Sequence, residues 1–117
     1  MYPGYSSKKE PIAIGCIKEF ETLINEKRAI LLNMGVDFKT IKLAIEKANS
    51  YLTNKGPFTD KQLKHIFPAT IILSQSNLLG LGKLQGTKIN ERQLEEIFDA
   101  DRKTTRKWKD ILENELG

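Results

Sequence analysis

The stretch Ile-Asn-Glu-Arg-Gln-Leu-Glu-Glu-Ile-Phe-Asp-Ala-Asp-Arg-Lys-Thr-Thr-Arg-Lys-Trp-Lys-Asp-Ile-Leu, residues 89 to 112, decides the fold. Its apolar residues fall in two short helical runs on either side of a polar joint, the pattern of a helix-turn-helix unit. Asn90 can cap the first run, and Gln93, three residues on, can reach back to the cap. Leu94, Ile97 and Phe98 then line one face of that helix. Asp99-Ala100-Asp101 is too polar to extend the stripe, and Asp101 is a good cap for a second helix that starts at Arg102.

At about 100° per residue, Thr104, Thr105, Trp108, Ile111 and Leu112 share one side of the second helix. Arg102, Lys103, Arg106, Lys107 and Lys109 occupy the other side. An outward basic face on the second helix of such a unit suits duplex DNA, because Arg and Lys neutralise phosphate and can donate to guanine edges in the major groove. The same pattern also describes a solvated surface helix. Six basic and six acidic side chains make the unit neutral. Glu91, Glu95 and Glu96 make its first helix acidic, and they oppose phosphate if that helix crosses the DNA backbone.

The full chain of 117 residues is one domain by length, and its 39% hydrophobic content is enough for a core without disulfide or metal support. Residues 1 to 88 carry 13 basic and 7 acidic side chains against a formal charge of +4 for the whole chain. Positive charge is therefore spread over the body, a weak bias toward an anionic partner. A single cysteine, Cys16, excludes an internal disulfide and a multi-cysteine zinc site. Its neighbours Ile14 and Ile17 suggest a buried thiol in a reducing compartment. No apolar run has the length of a membrane span, and no signal-peptide core is present near Met1, so a soluble, intracellular protein is expected.

Residues 1 to 11 contain Pro-Gly, Ser-Ser and Lys8-Lys9 and read as a flexible arm, leaving 12 to 117 as the domain. From about Ile12 to Leu32, Ile17, Phe20, Ile24 and Leu31, with Leu23 and Ile30 alongside, form a helical stripe that Gly35 stops. Asp37 caps a second helix with Phe38, Ile41, Ala44, Ile45, Ala48 and Leu52 as its apolar stripe and Lys39 and Lys42 outward. Thr59 with Gln62 opens a third helix, apolar on nearly all sides from Ile66 to Leu73 and hence central. Pro68 predicts a kink or break near Ile66. His65 has no ligand partner at metal-binding spacing and reads as a surface or capping residue. Asn77 to Lys88 reads as the longest loop, with a short turn at Leu78 to Leu81.

Five helices and no strand make an all-α bundle with a central third helix and a C-terminal helix-turn-helix. The run from Leu32 to Phe38 leading to Ile41, Ala44, Ile45 and Tyr51 resembles the second-helix signature of the cyclin-like repeats of the transcription factor IIB family, eukaryotic and archaeal. Pro68 to Leu73 stands where that family has its alanine-rich central helix. Gly86 to Asn90 through Thr104, Thr105 and Arg106 is similar to its last two helices. The resemblance covers roughly residues 17 to 115, as one repeat. It departs at Pro68, where the family has a small helix former, and at Trp108, one residue off its usual aromatic position. The resemblance implies a cyclin-like fold whose last two helices meet promoter DNA.

Neither a catalytic constellation nor a cofactor motif is present, so no enzyme activity, metal or cofactor is expected. Two functions remain. One is a DNA-binding transcription regulator in which Arg102, Lys103 and Arg106 lie nearest the bases and Lys107 and Lys109 lie on phosphate. It would act on promoter or operator DNA in the cytoplasm with the nucleoid, or in a nucleus. The other is a cyclin-like module that binds another component of the transcription machinery through a groove between helices.

Overall fold

The structure, a computed structural model, describes residues 9–56 and 58–116, which form five helices and no strand. These are α1 (Lys9–Asn33), α2 (Phe38–Lys55), α3 (Asp60–Gly80), α4 (Glu91–Phe98) and α5 (Arg102–Leu116). They pack as the all-α bundle expected, with α3 in the middle touching each of the other four. None of the described helices is long and apolar enough to cross a membrane.

α1 begins at Lys9, within the segment read as an arm. Pro11 falls in its first turn, where the amide hydrogen that proline lacks has no intrahelical acceptor to lose. Residues 1–8 and the side chain of Cys16, and with them the readings of an arm and a buried thiol, lie outside the described residues. Phe20, Ile24 and Leu31 are buried as the stripe requires, but Ile30 is 41% exposed. It stands about 120° round the helix from Ile24, off the packed side.

Gly35 ends α1 with φ at +89°. The Gly35 amide donates to Leu32 O, and that of Val36 reaches back to Leu31 O, closing a Schellman turn with Val36 and Leu31 both buried. Asp37 then caps α2 by accepting from the Lys39 amide at 2.9 Å. Ile41, Ala44, Ala48 and Leu52 of α2 are buried, whereas Phe38, expected in the same stripe, is 62% exposed. It occupies the first position of α2, on a flank where α1 offers Arg28. The two side chains line an open groove with Ile41, Lys42, Ile45 and Glu46.

The capping box of Thr59 and Gln62 opens α3 as anticipated. Pro68 does not break it: the helix runs on for twelve residues to Gly80. The loss of a mid-helix hydrogen bond and the ring's clash cost about 3 kcal/mol. Burial of Ile66, Phe67, Ala69 and Ile71, all inaccessible to solvent, offsets that cost. Asn77 to Gly80, read as the start of a loop, form the last turn of α3, so the irregular connection is residues 81–90.

That connection is pinned at three points. The Gln85 amide donates to Asp37 Oδ2 at 2.9 Å, so one carboxylate serves both the α2 cap and the connection. The Thr87 amide donates to Gly35 O at 2.7 Å. The buried Gln75 amide group takes both polar atoms of Ile89, accepting from its N–H at 3.1 Å and donating to its carbonyl at 2.7 Å. Gly86 is required by the close approach, since a Cβ there would lie 2.5 Å from both Asp37 N and Gly35 O.

Two aromatic sets complete the packing. Phe67 of α3 meets Phe20 of α1 and Phe98 of α4 edge-on, with centroids 5.1 and 5.4 Å apart. Phe58, just before α3, stacks on Tyr51 of α2 at 5.5 Å. Trp108 of α5 approaches both rings edge-on, at 6.2 Å from Tyr51 and 5.7 Å from Phe58. Trp108 is thus half-buried beside these two rings, at the margin of the core. The partners come from the α2–α3 corner, which α5 reaches by packing along α3 to α2.

Candidate nucleic-acid interface

The two C-terminal helices are fixed by local chemistry. Asn90 Oδ1 accepts from the Gln93 amide at 2.8 Å while Gln93 Oε1 accepts from the Asn90 amide at 3.0 Å, completing the box at the start of α4. Leu94 and Phe98 point into the core. The joint is the three residues 99 to 101. Asp99 adopts the left-handed conformation, with φ at +51°, and the amides of Asp99 and Ala100 both turn back to Glu95 O. Asp101 caps α5 through Oδ2, which accepts from the Thr104 amide at 2.8 Å and the Thr104 hydroxyl at 2.7 Å. Those two bonds, the hydroxyl first, hold the Asp101 carboxyl below the usual range.

His65 secures this joint to the central helix. It is 3% exposed, so it is a buried residue and not a surface one. Its Nδ1 lies 2.7 Å from Lys61 O, and its Nε2 lies 3.1 Å from the Asp101 amide. A carbonyl can only accept and an amide can only donate, so Nδ1 carries the proton and the neutral ring bridges α3 to the cap of α5. Its place next to a run buried on all sides was the signal that it lies inside.

Thr105 and Leu112 anchor α5 from below, and Arg102, Lys103, Arg106 and Lys107 are exposed on the side opposite. The fifth cation, Lys109, is half-buried. The five do not present a uniform positive face. Arg106 gives Nε and Nη2 to the two carboxylate oxygens of Glu91, both at 2.9 Å. Arg102 donates through Nε to Glu95 Oε2. Among the described residues, Lys103 and Lys107 make no ion pair.

The Arg106 hydrogen bond, first among several cations nearby, draws the Glu91 carboxyl below its ordinary range, and Glu91 in turn raises Arg106. The acidic side of α4 that opposes phosphate is therefore the side that grips two of the five basic residues. Glu91 and Glu95 are the functional candidates that reading each helix separately missed, because the pairing spans fifteen and seven residues.

Beside Arg106 opens a cleft of 530 Å³ between α3, the end of the connection and α5. Lys88, Arg106 and Lys109 bring positive charge to its wall, and Glu91 and Asp110 bring negative charge. Ile72 and Ile89 contribute apolar surface. Among the described residues no group of three or more His, Cys, Asp or Glu gathers as a metal site. No family model, curated protein or solved structure matches the chain.

Proposed function

We propose that this chain is a DNA-binding transcription regulator that presents the basic helix 102–112 to duplex DNA. The observation that carries the reading is the arrangement of α5. Its apolar side is held against α3 and the Tyr51–Phe58 corner, and its opposite side leaves Arg102, Lys103, Arg106 and Lys107 exposed. A rigid helix with a solvent-facing cationic side, following a capped helix and a three-residue joint, is suited to the major groove. The resemblance to the cyclin-like repeats of the transcription factor IIB family supports the same partner, promoter or operator DNA, and a place beside the nucleoid or in a nucleus. No catalytic role, metal or cofactor enters this proposal.

The test is fluorescence anisotropy with a random duplex and with duplexes selected from a random pool, at two salt concentrations. Binding should weaken as salt rises, with a slope near one for each phosphate contacted. Reversing the charge of Arg102, Lys103 and Arg106 together should abolish binding and leave the helical circular dichroism intact. Reversing Lys42, Lys47 and Lys61, the same change in charge elsewhere, should weaken it much less.

A second reading is favoured by the groove between α1 and α2, with Phe38 open to solvent above Ile41 and Ile45. Such a groove suits a partner helix of another transcription component. Absence of salt-dependent binding to duplex DNA at low salt would favour this second function.

A further inference from the structure

We propose that Glu91 is a positioning residue for DNA recognition, clamping Arg106 so that the free end of its guanidinium is offered to a guanine. The proposal rests on the DNA-binding reading and adds which side chain reads a base and what aims it. An arginine has five N–H donors in a rigid plane. The Glu91 carboxylate takes the side-on pair, the Nε hydrogen and one Nη2 hydrogen, through two bonds of 2.9 Å. The end-on pair, one hydrogen each on Nη1 and Nη2, is left over. That pair matches the spacing of O6 and N7 on guanine in the major groove.

The Arg106 side chain is 59% exposed, so its end is accessible while its flank is held. Clamping reduces the rotamer freedom that a long side chain otherwise loses on binding. The other cations of α5 lack this arrangement. Arg102 meets Glu95 through Nε alone, and Lys103 and Lys107 are point charges with no planar edge. Lys88 and Lys109 line the same cleft as Arg106 and add two further cations beside it.

A carboxylate at this place also repels DNA, which makes positioning separable from simple support of the fold. Glu91 is outside the pair of side chains that caps α4, so the Asn90–Gln93 box remains in Glu91→Gln and Glu91→Ala. The experiment selects a preferred duplex with the wild-type protein and measures anisotropy on that duplex, on each of its single base-pair variants and on random duplex. The proteins are wild type, Glu91→Gln, Glu91→Ala, Arg106→Lys and the Glu91→Ala, Arg106→Lys pair, each checked by thermal melting.

The expected result is that one G·C pair is preferred by roughly 5- to 150-fold in the wild type. Arg106→Lys should erase most of that preference. Glu91→Ala should reduce it at the same base pair while strengthening binding to random duplex, and the double variant should lose no more than Arg106→Lys alone. Glu91→Gln, which keeps one acceptor, should lie between Glu91→Ala and wild type. Equal strengthening on every duplex with discrimination retained would overturn the proposal, since Glu91 would then be only a repulsive charge. A uniform loss with Arg106→Lys and a shallower salt slope would overturn it too, by making Arg106 a phosphate contact. Wild type that shows no salt-dependent binding to any duplex removes the DNA-binding reading itself, and this inference with it.

Discussion

The Phe20–Phe67–Phe98 set and the Tyr51–Phe58–Trp108 set each join three parts of the chain, but at different depths. The phenylalanines are at most 3% exposed and lie on the line from α1 through α3 to α4. In the second set only Tyr51 is buried, and Phe58 and Trp108 keep part of their rings in solvent. α4 is fixed by Leu94 and Phe98 in the core, whereas α5, anchored there by Leu112 and Thr105, is held further by the rim of rings around Trp108 and by the His65–Asp101 bond at its start. The helix that carries the basic face thus adds half-exposed ring contacts to its buried anchors, and the helix beside it supplies the carboxylates that orient its arginines.

The largest effect should come from the deep set. Phe67→Ala removes a ring that two others touch and should cost about 3 to 5 kcal/mol in urea melts, from lost burial and the cavity left behind. Trp108→Ala should cost less, about 2 kcal/mol, because the indole is only half-buried. Equal losses from the two substitutions would break the comparison. Asp99→Gly tests the point where the deep set ends, just beyond Phe98. Relief of the left-handed conformation, offset by glycine's greater unfolded freedom, should raise stability by about 0.5 to 1 kcal/mol, read as a higher urea midpoint.

The smallest effect sharpens the comparison by pH. Burial, and secondarily Glu115, raises the Tyr51 phenol above its ordinary value, so the folded state holds that proton more tightly than the unfolded chain. Its contribution is complete below the unfolded tyrosine value, about 10. It is lost as pH rises through the folded one. Urea midpoints should fall in that alkaline window in the wild type and fall less in Tyr51→Phe, a difference that the phenylalanine set cannot produce.

Much of this fold is legible in local sequence. The caps at Asp37, Thr59, Asn90 and Asp101 use neighbours two or three residues away, and the helices start where those side chains predict. The basic side of α5 follows from helical period alone. What was hidden depends on how helices cross. Trp108 lies on the correct face, yet its ring partners sit some fifty residues earlier. His65 looks solitary until the Asp101 amide, 36 positions on, arrives at its free nitrogen. Pro68 signals a break because the local rule counts the lost hydrogen bond and not the packing around it. The Glu91–Arg106 clamp needs the angle between α4 and α5, which no single-helix pattern contains.

The pinning of the connection between α3 and α4 has a consequence for solvent exchange. The amides of Gln85, Thr87 and Ile89 alternate along the chain and donate to three separate acceptors, Asp37 Oδ2, Gly35 O and Gln75 Oε1. The segment, bent at Gly86, is thus fastened at alternate residues to a carboxylate, a turn and a side-chain amide, with no sheet beside it. In deuterium exchange these three amides should persist on the timescale of the helices, although they lie in a stretch with no regular secondary structure. Loss of the Asp37 carboxylate should release Gln85 while leaving Ile89 protected by Gln75, so isotope uptake would report each fastening separately.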